Sequence, residues 1–186
     1  MSLITLDGRT LDSFGLIVQP GHEHSILPST VDRTLPLAGR NGAWDFGADM
    51  GARVFMFPLA WATETNRENL QQKIRSFASF LTDDKGRPRE IVLVFSYEPS
   101  VFYKVRYSGS LMPKRDFAMA FFNLPLVAFD PLASGTERIF ETTITDSPYF
   151  FEIQSNGNVS TEPVIVLTNT GSTLNGFKIV NEYEVI

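Results

Sequence analysis

Short stretches of alternating apolar and polar residues, punctuated by Gly, Pro and Asp, run through most of the chain. Ile4-Thr5-Leu6 alternates, Asp7-Gly8 supplies a turn and Arg9-Thr10-Leu11 resumes, which predicts a short hairpin. Leu16-Ile17-Val18 is a second apolar run, closed by Pro20-Gly21. Residues 30–37 can extend, and the turn cluster Gly39-Arg40-Asn41-Gly42 leads into Ala43-Trp44-Asp45-Phe46, so a long hairpin with its tip near residue 40 is expected. Residues 53–59 read as a strand ending near Pro58, because proline removes a ladder donor.

A different period follows. Leu70, Ile74, Phe77 and Leu81 recur at helical spacing and make one apolar face. Thr65 and Glu68 stand where a capping box places its two side chains, and Asp83-Asp84-Lys85-Gly86 stops the pattern. The stripe predicts a helix packed on a sheet. Beyond it, residues 90–95 form a buried-strand run and residues 101–107 alternate. Residues 117–129 form another long strand candidate, bent at Pro125 and ended by Asp130-Pro131. One helix inserted among strands predicts a mainly β, α+β unit over residues 1–132.

Past Leu132 the texture changes. Ala133-Ser134-Gly135-Thr136 reads as a linker, and residues 133–186 are richer in Thr, Asn, Ser and Gly. Short strands are expected at residues 139–144, 164–167 and 177–180, separated by turns at Ser155-Asn156-Gly157-Asn158 and Thr170-Gly171-Ser172, a spacing typical of a β-sandwich. Only about fifty residues are available, against roughly a hundred for a sandwich domain. The last residues, Val185-Ile186, are apolar. Two readings stay open: a piece of a longer protein, or a tail that pairs with another part or copy of the chain.

Composition narrows the function classes. Hydrophobic residues make up 43% of the 186 positions and 16 are Phe, enough for a dense core or a wide protein–protein interface. The net charge of -5 argues against a grip on nucleic acid, which needs Lys and Arg to displace counterions from phosphates. Zero Cys removes disulfides and thiolate chemistry. Residues 1–15 lack a basic region followed by an apolar run, and the longest apolar stretches are too short to span a bilayer as helices, which points to a protein that is soluble or joins a soluble particle.

Candidate chemistry is sparse. His22 and His24 lie one residue apart, on one side of a strand, but a metal would need carboxylates to finish its shell; the plainer reading is a polar loop. Asp83/Asp84 and Asp45/Asp49 are carboxylate pairs of the kind a glycosidase needs, yet they sit at a helix stop and in a turn-rich segment, where solvated acids are expected. No Gly-x-Ser-x-Gly elbow and no phosphate-cradling loop occurs. Lys114-Arg115 and Arg87/Arg89 read either as solvated turns or as lumen or interface charges. No catalytic residue, metal or cofactor is expected.

An ordered series of short motifs resembles the siphophage distal tail proteins. The opening Leu6-Asp7-Gly8-Arg9-Thr10-Leu11 with Phe14-Gly15-Leu16 is similar to that family's first hairpin and following strand, and Leu37-Ala38-Gly39-Arg40-Asn41-Gly42 to its glycine-rich hairpin element. The helix over residues 66–81 with Thr82-Asp83-Asp84, then Phe102-Tyr103-Lys104-Val105 and Ala128-Phe129-Asp130-Pro131, match further stations in the same order. Asn156-Gly157-Asn158 followed by Glu162-Pro163-Val164-Ile165 resembles the opening of the family's second, galectin-like domain. The resemblance covers most of the chain; the departure is the missing bulk of that second domain. It implies a non-enzymatic structural subunit of the virion tail tip, made in the bacterial cytoplasm. Such a subunit forms a ring, commonly a hexamer, through its N-terminal domain. The ring would cap the tail tube, let DNA pass through its channel and dock a tail-associated lysin, fibre or receptor-binding protein, with no membrane partner. It also implies that residues 133–186 are a partial galectin-like segment. A carbohydrate-binding module for host attachment is the alternative, with Tyr149 and Tyr183 as its available platforms.

Within that frame the aromatic pattern bears on assembly. In a strand, Phe117, Phe121 and Phe129 share one face and Phe122 points to the other, so the strand calls for cover on both sides. The second cover is either the chain's own core or a neighbouring subunit. The candidate interface residues are therefore Gly39, Arg40, Asn41, Gly42 and Trp44 of the hairpin and Phe121 and Phe122 of the strand.

Overall fold

The computed structural model describes residues 3–153, 157–159 and 161–180. The turn expected at Ser155-Asn156 and the terminal Tyr183, Val185 and Ile186 lie outside the described residues. Two compact units divide between Glu141 and Thr142.

The first unit is a curled sheet with one helix. Its strands are β1 (Ile4–Leu6), β2 (Arg9–Thr10), β3 (Ile17–Val18), β4 (Glu23–His24), β5 (Thr30–Pro36), β6 (Ala43–Met50), β7 (Arg53–Trp61), β8 (Ile91–Phe95), β9 (Glu98–Tyr107), β10 (Lys114–Asp116), β11 (Met119–Ala128) and β12 (Ser134–Gly135); the helix α1 spans Arg67–Leu81. The order across the main sheet is β2-β1-β8-β9-β11-β7-β3, with β10 on β11, β12 on β9 and β4 on β7. Every strand pair is antiparallel. β5 and β6 pair only with each other.

Alternation decides what the sheet buries. Phe55, Phe57, Leu59 and Trp61 of β7 and Ala120, Phe122, Leu124, Leu126 and Ala128 of β11 point inward, joined by Ile91, Leu93 and Phe95 of β8. The helix closes this core with Leu70, Phe77 and Leu81 buried and Ile74 partly so. Trp61 and Phe122 stack at 4.9 Å, and Phe77 meets Trp61 edge-on at 6.0 Å. The buried Trp61 Nε1 donates to Phe14 O at 3.0 Å, so the indole enters the core with its polar atom satisfied.

Two local expectations need correction. The helix cap is Asn66, whose Oδ1 accepts from Asn69 N at 2.8 Å; Thr65 only reaches the Asn69 side chain, at 3.4 Å. Pro58 does not end its strand, whereas β11 is the single long strand expected and runs through Pro125 in register from Ala120↔Trp61 to Ala128↔Arg53. In an antiparallel strand a residue's N–H and C=O point to the same side. Pro58 O accepts from Gln19, so its nitrogen faces the gap between β3 and β4. Pro125 O accepts from Ser108, so its nitrogen faces the end of β9. Neither proline removes a ladder bond.

The strands expected at residues 139–144, 164–167 and 177–180 do not form: among the described residues no strand follows Gly135. Their apolar side chains stay open, with Ile139 76%, Val164 92% and Phe177 73% exposed. A segment this short cannot fold two sheets onto one another, so alternation there finds no second layer to bury against.

Candidate assembly interface

β5 and β6 leave the sheet as an arm. All of their residues are exposed. Direct pairs run Thr30↔Met50, Val31↔Asp49, Asp32↔Ala48, Thr34↔Asp45, Leu35↔Trp44 and Pro36↔Ala43. A bulge lies between Asp45 and Ala48, where Gly47 takes φ 91° and its amide donates to Asp45 Oδ1 at 2.8 Å. Paired residues share a face. Val31, Arg33, Leu35, Trp44 and Asp49 therefore lie on one side, with Phe46 following Trp44 by alternation; Thr30, Asp32, Thr34, Pro36, Ala43, Asp45, Ala48 and Met50 lie on the other. The arm is amphipathic, with Val31, Leu35, Trp44 and Phe46 each about half or more exposed. Arg33 pairs with Asp49, and Arg40 lies 4.8 Å over the Trp44 ring.

The arm's root is fastened to the sheet. Arg53 donates from Nε and Nη2 to Ser25 O at 3.2 and 2.9 Å and from Nη2 to Ile26 O at 2.9 Å, while its guanidinium lies 4.9 Å over Tyr103. Gly51 N donates to Ser29 O at 2.6 Å. His24 sits at the same root, stacked on His22 at 5.9 Å and tilted against Phe95 at 5.1 Å. Its pKa is lowered by burial and then by the positive charges of His22 and Arg53. Among the described residues no group of three or more His, Asp or Glu side chains comes together around a metal position.

Of the two strand phenylalanines named as interface candidates, the structure leaves only one exposed. Phe122 belongs to the core, between Trp61 and Phe77, and is not available to a partner. Phe121 is 39% exposed on the outer face of the sheet, beside Ala60. Val54, Ile17 and Asn123 are also exposed on that face, with Met56, Pro58, Pro125 and Val127 half-buried. Of the two covers open to β11, the chain's own core takes only one side. Phe117 leaves the strand pattern, standing in the turn after β10 at φ 47°. Phe129 lies past the end of β11, under Arg106.

The charged pairs resolve into local structure. Asp83 Oδ1 accepts from Lys85 N and Arg87 N at 2.9 and 2.8 Å, which shapes the turn after the helix. Asp45 and Asp49 fall on opposite faces of the arm. Arg89 ties to Asp7 at 2.7 Å and lies over Phe80, whereas Arg115 reaches Gln71 at 2.9 Å. Sequence reasoning missed the apolar partners Val31, Leu35 and Phe46 and the root clamp Arg53. The first three were legible only once the register of β5 against β6 was known; no local signal marks Arg53.

The profile of the phage tail protein RIFT-related domain matches residues 9–128, from β2 through the arm and helix to the end of β11. The chain belongs to this family. Among solved structures, the fold of this phage tail protein matches one titled as the SPP1 Dit (gp 19.1) protein, "a paradigm of hub adsorption apparatus in Gram-positive infecting phages". The TM-score is 0.60 at 22% identity, over 72% of this chain and 52% of that one. The chain thus spans about half the length of that structure. No curated protein sequence matches it. Among the described residues no helix is long and apolar enough to cross a membrane.

Proposed function

We propose that this phage tail protein is a distal-tail hub subunit. It closes with copies of itself into a ring, six-membered as in the resemblance, at the virion tail tip. Residues 1–132 form the ring and residues 133–186 a partial second segment. The ring joins the tail tube to a tail-associated lysin, fibre or receptor-binding protein and leaves a channel for DNA. No catalytic step belongs to this role.

The observation that carries the reading is the arm's uncovered apolar face. A two-stranded hairpin is marginal in water unless a third layer covers it. Here the chain projects one from a clamped root and covers neither side. An arm reaching to a different surface of an identical neighbour makes a head-to-tail contact, and such contacts close into rings when the rotation permits. The SPP1 protein's description as part of a hub adsorption apparatus agrees with that role. The carbohydrate-binding alternative has less to stand on: Tyr149 lies in a segment that no strand frames, tilted against Phe151 at 6.0 Å.

The test is light scattering with negative-stain imaging of the purified chain and of a Leu35→Ser/Trp44→Ser/Phe46→Ser variant. Rings are expected from the first. Monomers with unchanged thermal stability are expected from the second, because the three side chains are already exposed in the single chain. A wild-type chain that stays monomeric at every concentration removes the proposal; rings formed equally well by the variant remove the arm from it.

A further inference from the structure

The arm's tip carries reactive backbone chemistry. Residues 37–42 connect β5 to β6, with Arg40 N bonded to Leu37 O at 3.3 Å. Asn41 and Gly42 are exposed, Gly42 takes φ 84°, and a Cβ built on it would meet nothing within 4 Å. A glycine after asparagine leaves its amide nitrogen unshielded by any side chain, in a backbone that moves freely. We propose that Asn41 is a site of spontaneous deamidation through Gly42.

The step balances with water alone. Gly42 N gives up its proton and bonds to Asn41 Cγ; the side-chain nitrogen leaves as ammonia, and a five-membered imide remains. Water then opens one of the two imide carbonyls. One opening gives an aspartyl residue at position 41. The other gives an isoaspartyl linkage, in which the chain runs through the side-chain carbonyl and gains one backbone carbon. Both products place a carboxylate beside Arg40, whose guanidinium lies over Trp44. The new charge competes with the indole for that cation.

Three other asparagines serve for comparison. Asn66 has its side chain engaged at the helix cap and is followed by Arg67. Asn123 lies inside β11 and is followed by Leu124. Asn175-Gly176 is a further exposed Asn-Gly pair, remote in sequence from the arm, and the sequence holds a third at Asn156-Gly157.

A consequence for assembly rests on the ring reading above: conversion at the tip alters charge and loop length at the proposed contact. The experiment ages the full chain at mildly alkaline pH and follows each asparagine by peptide mapping, with enzymatic labelling of isoaspartyl sites. Asn41 and Asn175 are expected to convert several-fold faster than Asn66 and Asn123, and Asn41→Gln to abolish the signal at position 41 alone. Asn41 remaining an amide after Asn175 has converted overturns the proposal. Light scattering of the same samples separates the two ideas. Ring loss that tracks conversion and is absent from Asn41→Gln supports the link. Conversion with undiminished rings leaves the modification standing and removes the tip from the contact.

Discussion

Replacing Gly15 by Ala tests how a tight turn and a buried carboxylate depend on one another. Gly15 closes the short 3-10 turn Leu11–Phe14 at φ 69° and ψ 19°, its amide bonded to Asp12 O at 2.9 Å. A Cβ at this position would lie 2.5 Å from Lys73 Nζ, 3.2 Å from Cδ and 3.3 Å from Cε. Two costs follow. The left-handed backbone disfavours any Cβ by about 1–2 kcal/mol. The lysine must also move, and its amine is the partner of Glu64, whose side chain is only 6% exposed. Stripping the partner from a fully buried ion pair costs about 3–5 kcal/mol. Lys73 is 41% exposed and flexible, so water and small shifts recover much of that, leaving about 1–2 kcal/mol. Gly15→Ala should therefore destabilise the chain by about 2–4 kcal/mol.

Urea unfolding followed by tryptophan fluorescence measures the loss, and a double-mutant cycle with Lys73→Ala divides it. Lys73→Ala leaves Glu64 unpaired by itself, so adding Gly15→Ala should then cost only the backbone part, about 1–2 kcal/mol. The double variant should be more stable than the sum of the singles predicts, by about the ion-pair part. Equal costs of Gly15→Ala in both backgrounds would refute the steric coupling. A total below about 0.5 kcal/mol, the range of featureless surface changes, would refute both halves of the reasoning.

Two further outcomes separate neighbouring residues that look alike in sequence. Phe122→Ala should cost about 3–5 kcal/mol by opening a cavity between Trp61 and Phe77, whereas Phe121→Ala should stay within about 1 kcal/mol in the single chain; thermal denaturation of both gives the contrast, and similar losses would put the core on the wrong parity. Asn66→Ala should cost about 1 kcal/mol and Thr65→Ala only a few tenths, read by chemical denaturation, with the reverse order restoring the capping box expected from Thr65 and Glu68.

What the sequence made legible is what local physics determines. The stripe Leu70, Ile74, Phe77, Leu81 announces the helix because its period needs no distant partner to be read. The hairpin around Gly39 and Gly42 is legible for the same reason, since both positions adopt positive φ. Pro58 misled because a missing donor matters only if a neighbouring strand wants it, and the gap beside β7 is set by strands distant in sequence. Phe121 and Phe122 could not be sorted by composition, as either parity gives an apolar face; the helix landing on Phe122 decides between them. The tail shows the converse failure. Its alternation is real, but a strand pattern becomes a strand only when another layer pairs with it.

The arm's root determines whether its apolar face can act in assembly. A hairpin that swung freely would lose orientational freedom on docking, and that loss subtracts from whatever its exposed Leu35, Trp44 and Phe46 gain by burial. Arg53 reduces the loss in advance. It holds the incoming strand by two carbonyls and braces itself on Tyr103, while the outgoing strand returns to β7 through Gly51 and Ala52 alone. Gly51 permits that closeness, since a Cβ there would stand 2.8 Å from Ser29 Oγ and 3.1 Å from Ser29 O. The apolar face is thus presented in a direction set by the root. Its placement at the end of a clamped lever, and not exposure alone, distinguishes it from the more exposed Phe150 and Val164 of the second unit, which no strand holds in place.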